Sequence, residues 1–172
     1  MLTPEKTCYL VEEMLPGIDY DKGEVIALTP EACYSLDLEH ISYSLPENFF
    51  NEEKLRQGSD LYFLEQIKWF QDFDGFLKED ITYCKIKDLN LAQAYYNRFK
   101  YWMDTLIFYS HIFNDILKSI RPANVIYVGY HEEKINASSL YDLFLTGYSI
   151  PAQLIGFVCK KFGNINLSML SS

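Results

Sequence analysis

The sequence predicts an α/β fold, a Rossmann-like, mostly parallel sheet of about five strands with a long helical insertion, residues about 50–120, before the central strand. Three observations support this prediction. Short apolar runs rich in β-formers alternate with segments of helical spacing. A helix start, Thr29-Pro30-Glu31, directly follows one of these runs. The run Asn124–Tyr130 (NVIYVGY) is as dense in apolar residues as a strand buried on both faces.

The first part of the chain contains three predicted strands and one helix. Thr7–Val11 and Glu24–Leu28 are short buried strands, and Ile41–Leu45 alternates apolar and polar residues as a third. The helix has Thr29 as its cap and extends to about Glu39. The link between the first two strands is barely long enough for a parallel crossover, so antiparallel pairing of the first strand stays open.

The middle of the chain is predicted to be mostly helical. Asn51 caps a helix that opens with acidic residues, and Asp88 caps a second helix whose apolar residues recur every three or four positions up to Ile120. Pro122 stops this second helix. Ile81–Ile86, between the two helices, is compatible with either a short strand or a loop.

The last part follows the central strand. Ala137–Gly147 suits a short helix, and Pro151 opens another that Gly163 ends. Ile165–Leu170 is predicted as the final strand. From the length, we expect residues 1–172 to form one domain. A complete doubly wound fold would cover the final strand with a further helix, so this domain either stands alone or is the N-terminal half of a larger two-domain protein.

Composition excludes several classes of function. The net charge is −9 and there is no basic cluster, which argues against nucleic acid as a partner. No apolar run is long enough to cross a bilayer, and the first residues are polar rather than a signal peptide. The four cysteines have no zinc-site spacing, so we expect reduced cysteines in a cytoplasmic protein and no metal: Cys8, Cys33, Cys84 and Cys159.

The candidate site lies where ligands bind in parallel sheets, beyond the carboxyl ends of the strands. The loop after the central strand holds a general-base candidate, His131, with Glu132 or Glu133 to orient it. Gly129 would allow a ligand or a neighbouring backbone to approach closely. The remaining ligand-binding candidates are Tyr130, Glu12, Thr29 and Glu31.

Other interpretations compete with this site. His131 lacks a nucleophile or metal partner in the sequence and suits an exposed polar loop, and His40 and His111 suit structural roles in helices. Glu12 and Glu13 are adjacent in a strand, so their side chains point to opposite faces and do not form a close carboxylate pair. Neither the dinucleotide glycine motif nor a P-loop is present, so no cofactor is predicted.

The aromatic residues of the second long helix, such as Tyr95, Trp102 and Tyr109, have two interpretations. They supply a stacking platform for a sugar ring, or they form core and a docking face for a missing domain or a second subunit. Regular helical spacing favours the second interpretation.

Two segments carry a resemblance to a known family. Val25–Leu45, and the Arg121-Pro122 step into the strand that contains Val125-Ile126, resemble bacterial surface-polysaccharide biosynthesis proteins with a GT-B-like glycosyltransferase architecture. The order of elements is similar over most of the chain. The resemblance implies an N-terminal, acceptor-side domain that binds a sugar or glycan acceptor, with the nucleotide-sugar held mainly by a second domain.

Three functional hypotheses follow. The first is this acceptor-side domain, which would be inactive alone. The second is a stand-alone binding or oligomerisation module without catalytic activity. The third is a small enzyme that uses the His131 loop.

Overall fold

The computed structural model describes residues 6–80, 96–130 and 150–171. These residues form two compact units. We name residues 1–50 and 109–172 the sheet unit, and residues 51–108 the helical unit. The predicted elements at Ile81–Ile86 and Ala137–Gly147, and the predicted helix start at Asp88, lie outside the described residues.

The sheet unit is built on four parallel strands: β1 (Thr7–Val11), β2 (Glu24–Ala27), β3 (Asn124–Tyr130) and β4 (Asn166–Ser171). Their order across the sheet is β2-β1-β3-β4. The pairing of β1 with β2 is parallel, which settles the direction that the sequence left open. A 3-10 turn at Tyr20–Lys22 is the only regular structure described in the link between them.

The predicted third strand, Ile41–Leu45, is reduced to one parallel bridge between Ser44 and Ile26. Ser44 accepts a hydrogen bond from the Ala27 amide at 3.1 Å and donates to the Val25 carbonyl at 2.8 Å. The preceding helix, α1 (Pro30–Leu38), uses the backbone of residues 40 and 41 to close its C-terminus, and a 3-10 turn starts at residue 46. Too little chain is left between them for a full strand, so the sheet has four strands and a bridged edge.

Side chains alternate between the two faces of the sheet, as the two-residue period of a strand requires. One face packs against the C-terminal half of α3 (Tyr96–Ile120) and against α4 (Ile150–Phe162). The buried strand residues of this face are Cys8, Leu10, Ile26, Val125 and Tyr127, and the helices add Ile112, Phe113, Ile116, Leu117, Ala152, Ile155, Val158 and Cys159.

The second face packs against α1 and the link between β1 and β2. Its buried residues are Tyr9, Val11, Val25, Ala27 and Val128 from the strands, with Tyr20, Ala32 and Leu36 against them. The rings of Tyr9 and Tyr20 meet edge to face with centroids 5.4 Å apart. Over β4 this face is exposed, at Asn166, Ser168 and Leu170.

The helical unit contains α2 (Glu52–Asp80) and the N-terminal half of α3. Gln66, Phe70 and Asp74 recur every four residues of α2 and are buried. The Gln66 amide donates to Asp104 Oδ1 at 3.0 Å, and Phe70 packs edge to face on Tyr96 with centroids 5.2 Å apart. These two contacts, one polar and one aromatic, are among those that join the two helices.

The helix ends follow the predicted sequence signals. The Thr29 hydroxyl caps α1 by accepting from the Ala32 amide at 3.1 Å. Gly163 ends α4 in the left-handed conformation, with φ 74°. Arg121 takes the same role after α3, with φ 52°, and Pro122 follows it. Within the described residues, no helix combines the length and hydropathy needed to cross a membrane.

Candidate functional site

The candidate site lies at the carboxyl edge of the sheet, where all four parallel strands end. Strand β1 has β2 on one side and β3 on the other. After β1 the chain forms β2 on one side of β1, and it later forms β3 on the other side of β1. The direction in which strands are added therefore reverses, and the boundary between β1 and β3 is the topological switch point. Ligand-binding crevices in open parallel sheets form at such points.

Thr29 lies at this edge and ties the ends of β1 and β2 together. Its hydroxyl donates to the Glu12 carbonyl oxygen while it caps α1. The Leu28 amide adds a hydrogen bond of 2.8 Å to the Val11 carbonyl. The Thr29 hydroxyl proton is therefore already hydrogen-bonded to the protein backbone. This geometry indicates that Thr29 positions the surrounding backbone, and its contact with a ligand stays a prediction.

Gly129 lies at the switch point, in a bulge of β3. Its φ is 82°, and the register between β3 and β4 shifts between residues 128 and 130. A Cβ at this position would lie 2.5 Å from the Glu13 amide nitrogen and closer still to the Glu13 carbonyl oxygen. The sequence predicted close approach of either a ligand or a neighbouring backbone at this glycine. The structure shows the second of these, a neighbouring backbone.

The backbone of Glu13 is held over Gly129 by the hydrogen bonds of its neighbour Glu12, whose carbonyl accepts from the Thr29 hydroxyl. The Glu12 amide donates to the Val128 carbonyl at 2.9 Å, which extends the β1/β3 pairing by one residue beyond β1. The Glu13 side chain is exposed and that of Glu12 is half-buried. Backbone packing therefore closes the switch point at Gly129, and the two glutamates lie beside it.

The rim is acidic. In the described residues, the loops that leave β1, β2 and the Ser44 bridge include Glu12, Glu13, Glu31 and Glu47. A phosphate group approaching these residues would be repelled by their carboxylates. Carboxylates accept hydrogen bonds from hydroxyl groups, so the rim favours hydroxyl-rich or cationic ligands.

The predicted catalytic residues, His131 and Glu132, lie outside the described residues. The backbone of Tyr130 ends β3 at the rim, and its side chain is also outside the described set. The structure therefore brings together Glu12, Glu13, Thr29 and Gly129. The roles assigned to His131, Glu132, Tyr130 and Glu31 stay predictions.

A second concave feature was missed by sequence reasoning. An open groove of about 630 Å³ follows the segment between the C-terminus of α1 and the 3-10 turn at Pro46–Phe49. It is lined by Asp37, His40, Ile41, Ser42, Tyr43, Leu45 and Asn48. The sequence feature that could have indicated this groove was a histidine, His40, at the end of a helix, where glycine is usual. His40 has φ 56°.

Groups that could perform nucleophilic or metal chemistry are limited in the described residues. Burial raises the pKa of the Cys8 thiol to about 12 and that of Cys159 to about 11. Both thiols are therefore protonated and poor nucleophiles at neutral pH. Among residues 6–80, 96–130 and 150–171, no three His, Cys, Asp or Glu side chains are grouped so that they could hold a metal ion.

No protein-family model matches the chain, and searches of curated proteins and of solved structures return no significant match.

Proposed function

We propose that the chain is the acceptor-side, Rossmann-like domain of a glycosyltransferase in surface-carbohydrate biosynthesis, and that a sugar or glycan acceptor binds at its carboxyl edge. The observation that supports this proposal is the strand order. With the Ser44 segment counted as an edge, the order in chain sequence is 3-2-1-4-5, as in Rossmann-like sheets. The acidic switch point of this sheet is the proposed acceptor site.

Carboxylates recognise the acceptor in this proposal. Glu12 and Glu13 accept hydrogen bonds from acceptor hydroxyls, while the bonds of Thr29 hold the loop in place. A nucleotide diphosphate would be disfavoured by the same carboxylates. This division fits an enzyme whose nucleotide-sugar is bound mainly by another domain, as the family resemblance implies.

Catalysis in this proposal uses the loop after β3. His131 accepts the proton of the acceptor hydroxyl as the hydroxyl oxygen attacks the anomeric carbon of the donor sugar, and the nucleoside diphosphate leaves with the bonding electron pair. Glu132 orients the imidazole. Both residues keep the roles that the sequence suggested, and the chain without its partner domain is expected to show no turnover.

Saccharide binding to the isolated chain tests the proposal. Saturation-transfer NMR with glucose, galactose and N-acetylglucosamine should show saturable binding, and Glu13→Gln should weaken it about tenfold because a charge-assisted hydrogen bond is lost. Glu39→Gln is the control, since Glu39 is equally exposed but follows the C-terminus of α1, away from the rim. Tighter binding of a UDP-sugar than of every neutral sugar would contradict the proposal.

A second candidate function is a binding or oligomerisation module. It is favoured by large apolar side chains that are exposed on helices: Trp69 and Phe76 on α2, and Phe157 on α4, of which Phe157 is 71% exposed. Light scattering over a range of concentrations should then show a defined oligomer. A strict monomer at every concentration would count against this function.

We place the chain in the cytoplasm. The three cysteines in the described residues are free, as expected in a reducing compartment. Cell fractionation with a tagged full-length protein would check this placement.

A further inference from the structure

The groove beside α1 shares no lining residue with the carboxyl-edge site. It belongs wholly to the sheet unit, because all its lining residues lie between positions 37 and 48. We propose that this groove binds a small organic cation, an ammonium or guanidinium group carried on an apolar stem.

The electrostatic environment selects for a cation. Residues 37–48, which form the groove segment, include three acidic residues and no lysine or arginine; the acids are Asp37, Glu39 and Glu47. The groove also begins at the C-terminal end of α1, where the helix dipole carries partial negative charge. A cation gains from both effects and an anion loses from both.

Asp37 provides the charged contact. Its Oδ2 accepts a hydrogen bond of 3.3 Å from the Tyr43 hydroxyl, which restrains the carboxylate at the groove wall. Its other oxygen has no hydrogen-bond donor among the described residues. That oxygen is open to an N–H donor of a ligand, and hydrogen bonds between charged groups are the strong ones.

The rest of the lining suits an apolar stem. Ile41 and Leu45 are aliphatic, and Leu45 is 41% exposed. Tyr43 also lines the groove, and an aromatic ring in the lining can attract a cation. The Tyr43 hydroxyl stays protonated at neutral pH, because burial and a hydrogen bond with Cys33 raise the Tyr43 pKa to about 12. No second negative charge therefore develops on the wall.

The backbone fixes this wall in place. The amide of His40 donates to the Asp37 carbonyl at 3.1 Å, and the amide of Ile41 donates to the Leu36 carbonyl at 2.9 Å. This pair of bonds is the Schellman motif, which joins the end of α1 rigidly to the groove segment. Little conformational entropy is then lost when a ligand binds.

Titration of the full chain with agmatine and with N-acetyl-arginine methylamide tests the proposal. Backbone amide shifts in NMR should saturate and concentrate on residues 37–48, with a Kd below ~1 mM. The neutral isostere N-acetyl-citrulline methylamide should bind at least tenfold more weakly than the arginine compound. Agmatine carries both a guanidinium and an ammonium group, so tighter binding of agmatine would identify a small dicationic amine as the natural source, and tighter binding of the arginine compound would identify a peptide arginine.

Two substitutions distinguish a specific binding site from nonspecific electrostatic attraction of a cation to an acidic protein. Asp37→Asn should weaken binding about tenfold or more. Asp21→Asn makes the same chemical change at an exposed position outside the lining and should change the Kd less than about twofold. Equal effects of the two variants, shifts outside the groove, or no saturation would overturn the proposal.

Discussion

Replacing Gly129 by alanine tests whether the switch point is closed by backbone packing. The added Cβ would lie 2.5 Å from the Glu13 amide nitrogen and 2.6 Å from the Glu13 Cβ. Glu13 has little room to retreat, because its neighbour Glu12 is bonded to Val128 and to Thr29. The variant therefore combines a steric clash with a left-handed backbone conformation, φ 82°.

The two costs are separated by a control glycine. Gly17 has nearly the same φ, 81°, and nothing would lie within 4 Å of an added Cβ. Gly17→Ala should cost only the conformational term, about 1 kcal/mol. Gly129→Ala adds overpacking of about 1–3 kcal/mol, so we expect a total of about 2–4 kcal/mol.

Urea denaturation followed by far-UV circular dichroism measures both variants. Tryptophan fluorescence is less suitable, because both tryptophans, Trp69 and Trp102, are in the helical unit. If Gly129→Ala lowers the free energy of unfolding no more than Gly17→Ala, the Glu13 backbone can move and the reasoning is wrong.

Three further predictions concern other parts of the molecule. His40→Gly should raise stability by about 1 kcal/mol, because glycine adopts the left-handed conformation without strain, and a lower melting temperature would contradict the helix-end geometry. With the native protein at pH 8, a thiol reagent followed by peptide mapping should modify the half-buried Cys33 and leave Cys8 and Cys159 unmodified until the protein unfolds. Burial raises the pKa of Asp104, but hydrogen bonds from Lys100 and Gln66, together with the charge of Lys100, lower it by more, so the net pKa shift is downward. Its contribution to stability is therefore present above the pKa of the unfolded state and lost as the pH falls through the folded-state pKa, and Asp104→Asn should remove this acid dependence from tryptophan fluorescence unfolding curves.

Local sequence signals were sufficient for most elements. Strands β1 and β3 have the predicted bounds, Thr7–Val11 and Asn124–Tyr130. Thr29 caps α1, as predicted from its hydroxyl group and from the proline that follows it. These signals depend on contacts within a few residues or on the burial of a continuous apolar run. The predicted third strand at Ile41–Leu45 failed because the end of α1 and Pro46 compete for the same short segment.

The candidate site was predicted only in part. The rule that ligands bind at the carboxyl edge located Glu12, Thr29 and Gly129 together, but it did not show what occupies the space above Gly129. The groove beside α1 gave only a weak sequence signal. Asp37 and Tyr43 are six residues apart, and the turn at His40 brings their side chains into contact.

By itself, the sequence determined the α/β class, the parallel tendency of the central strand, the Thr29 cap of α1 and the Gly163 end of α4. These properties depend on residue type and on spacing along the chain. Only the tertiary structure decided the strand order, the parallel pairing of β1, the position of the Glu13 backbone over Gly129 and the groove at Asp37. The first three depend on which segments that are distant in the sequence hydrogen-bond and pack together. The groove depends on the turn at His40, which brings Asp37 and Tyr43 into contact.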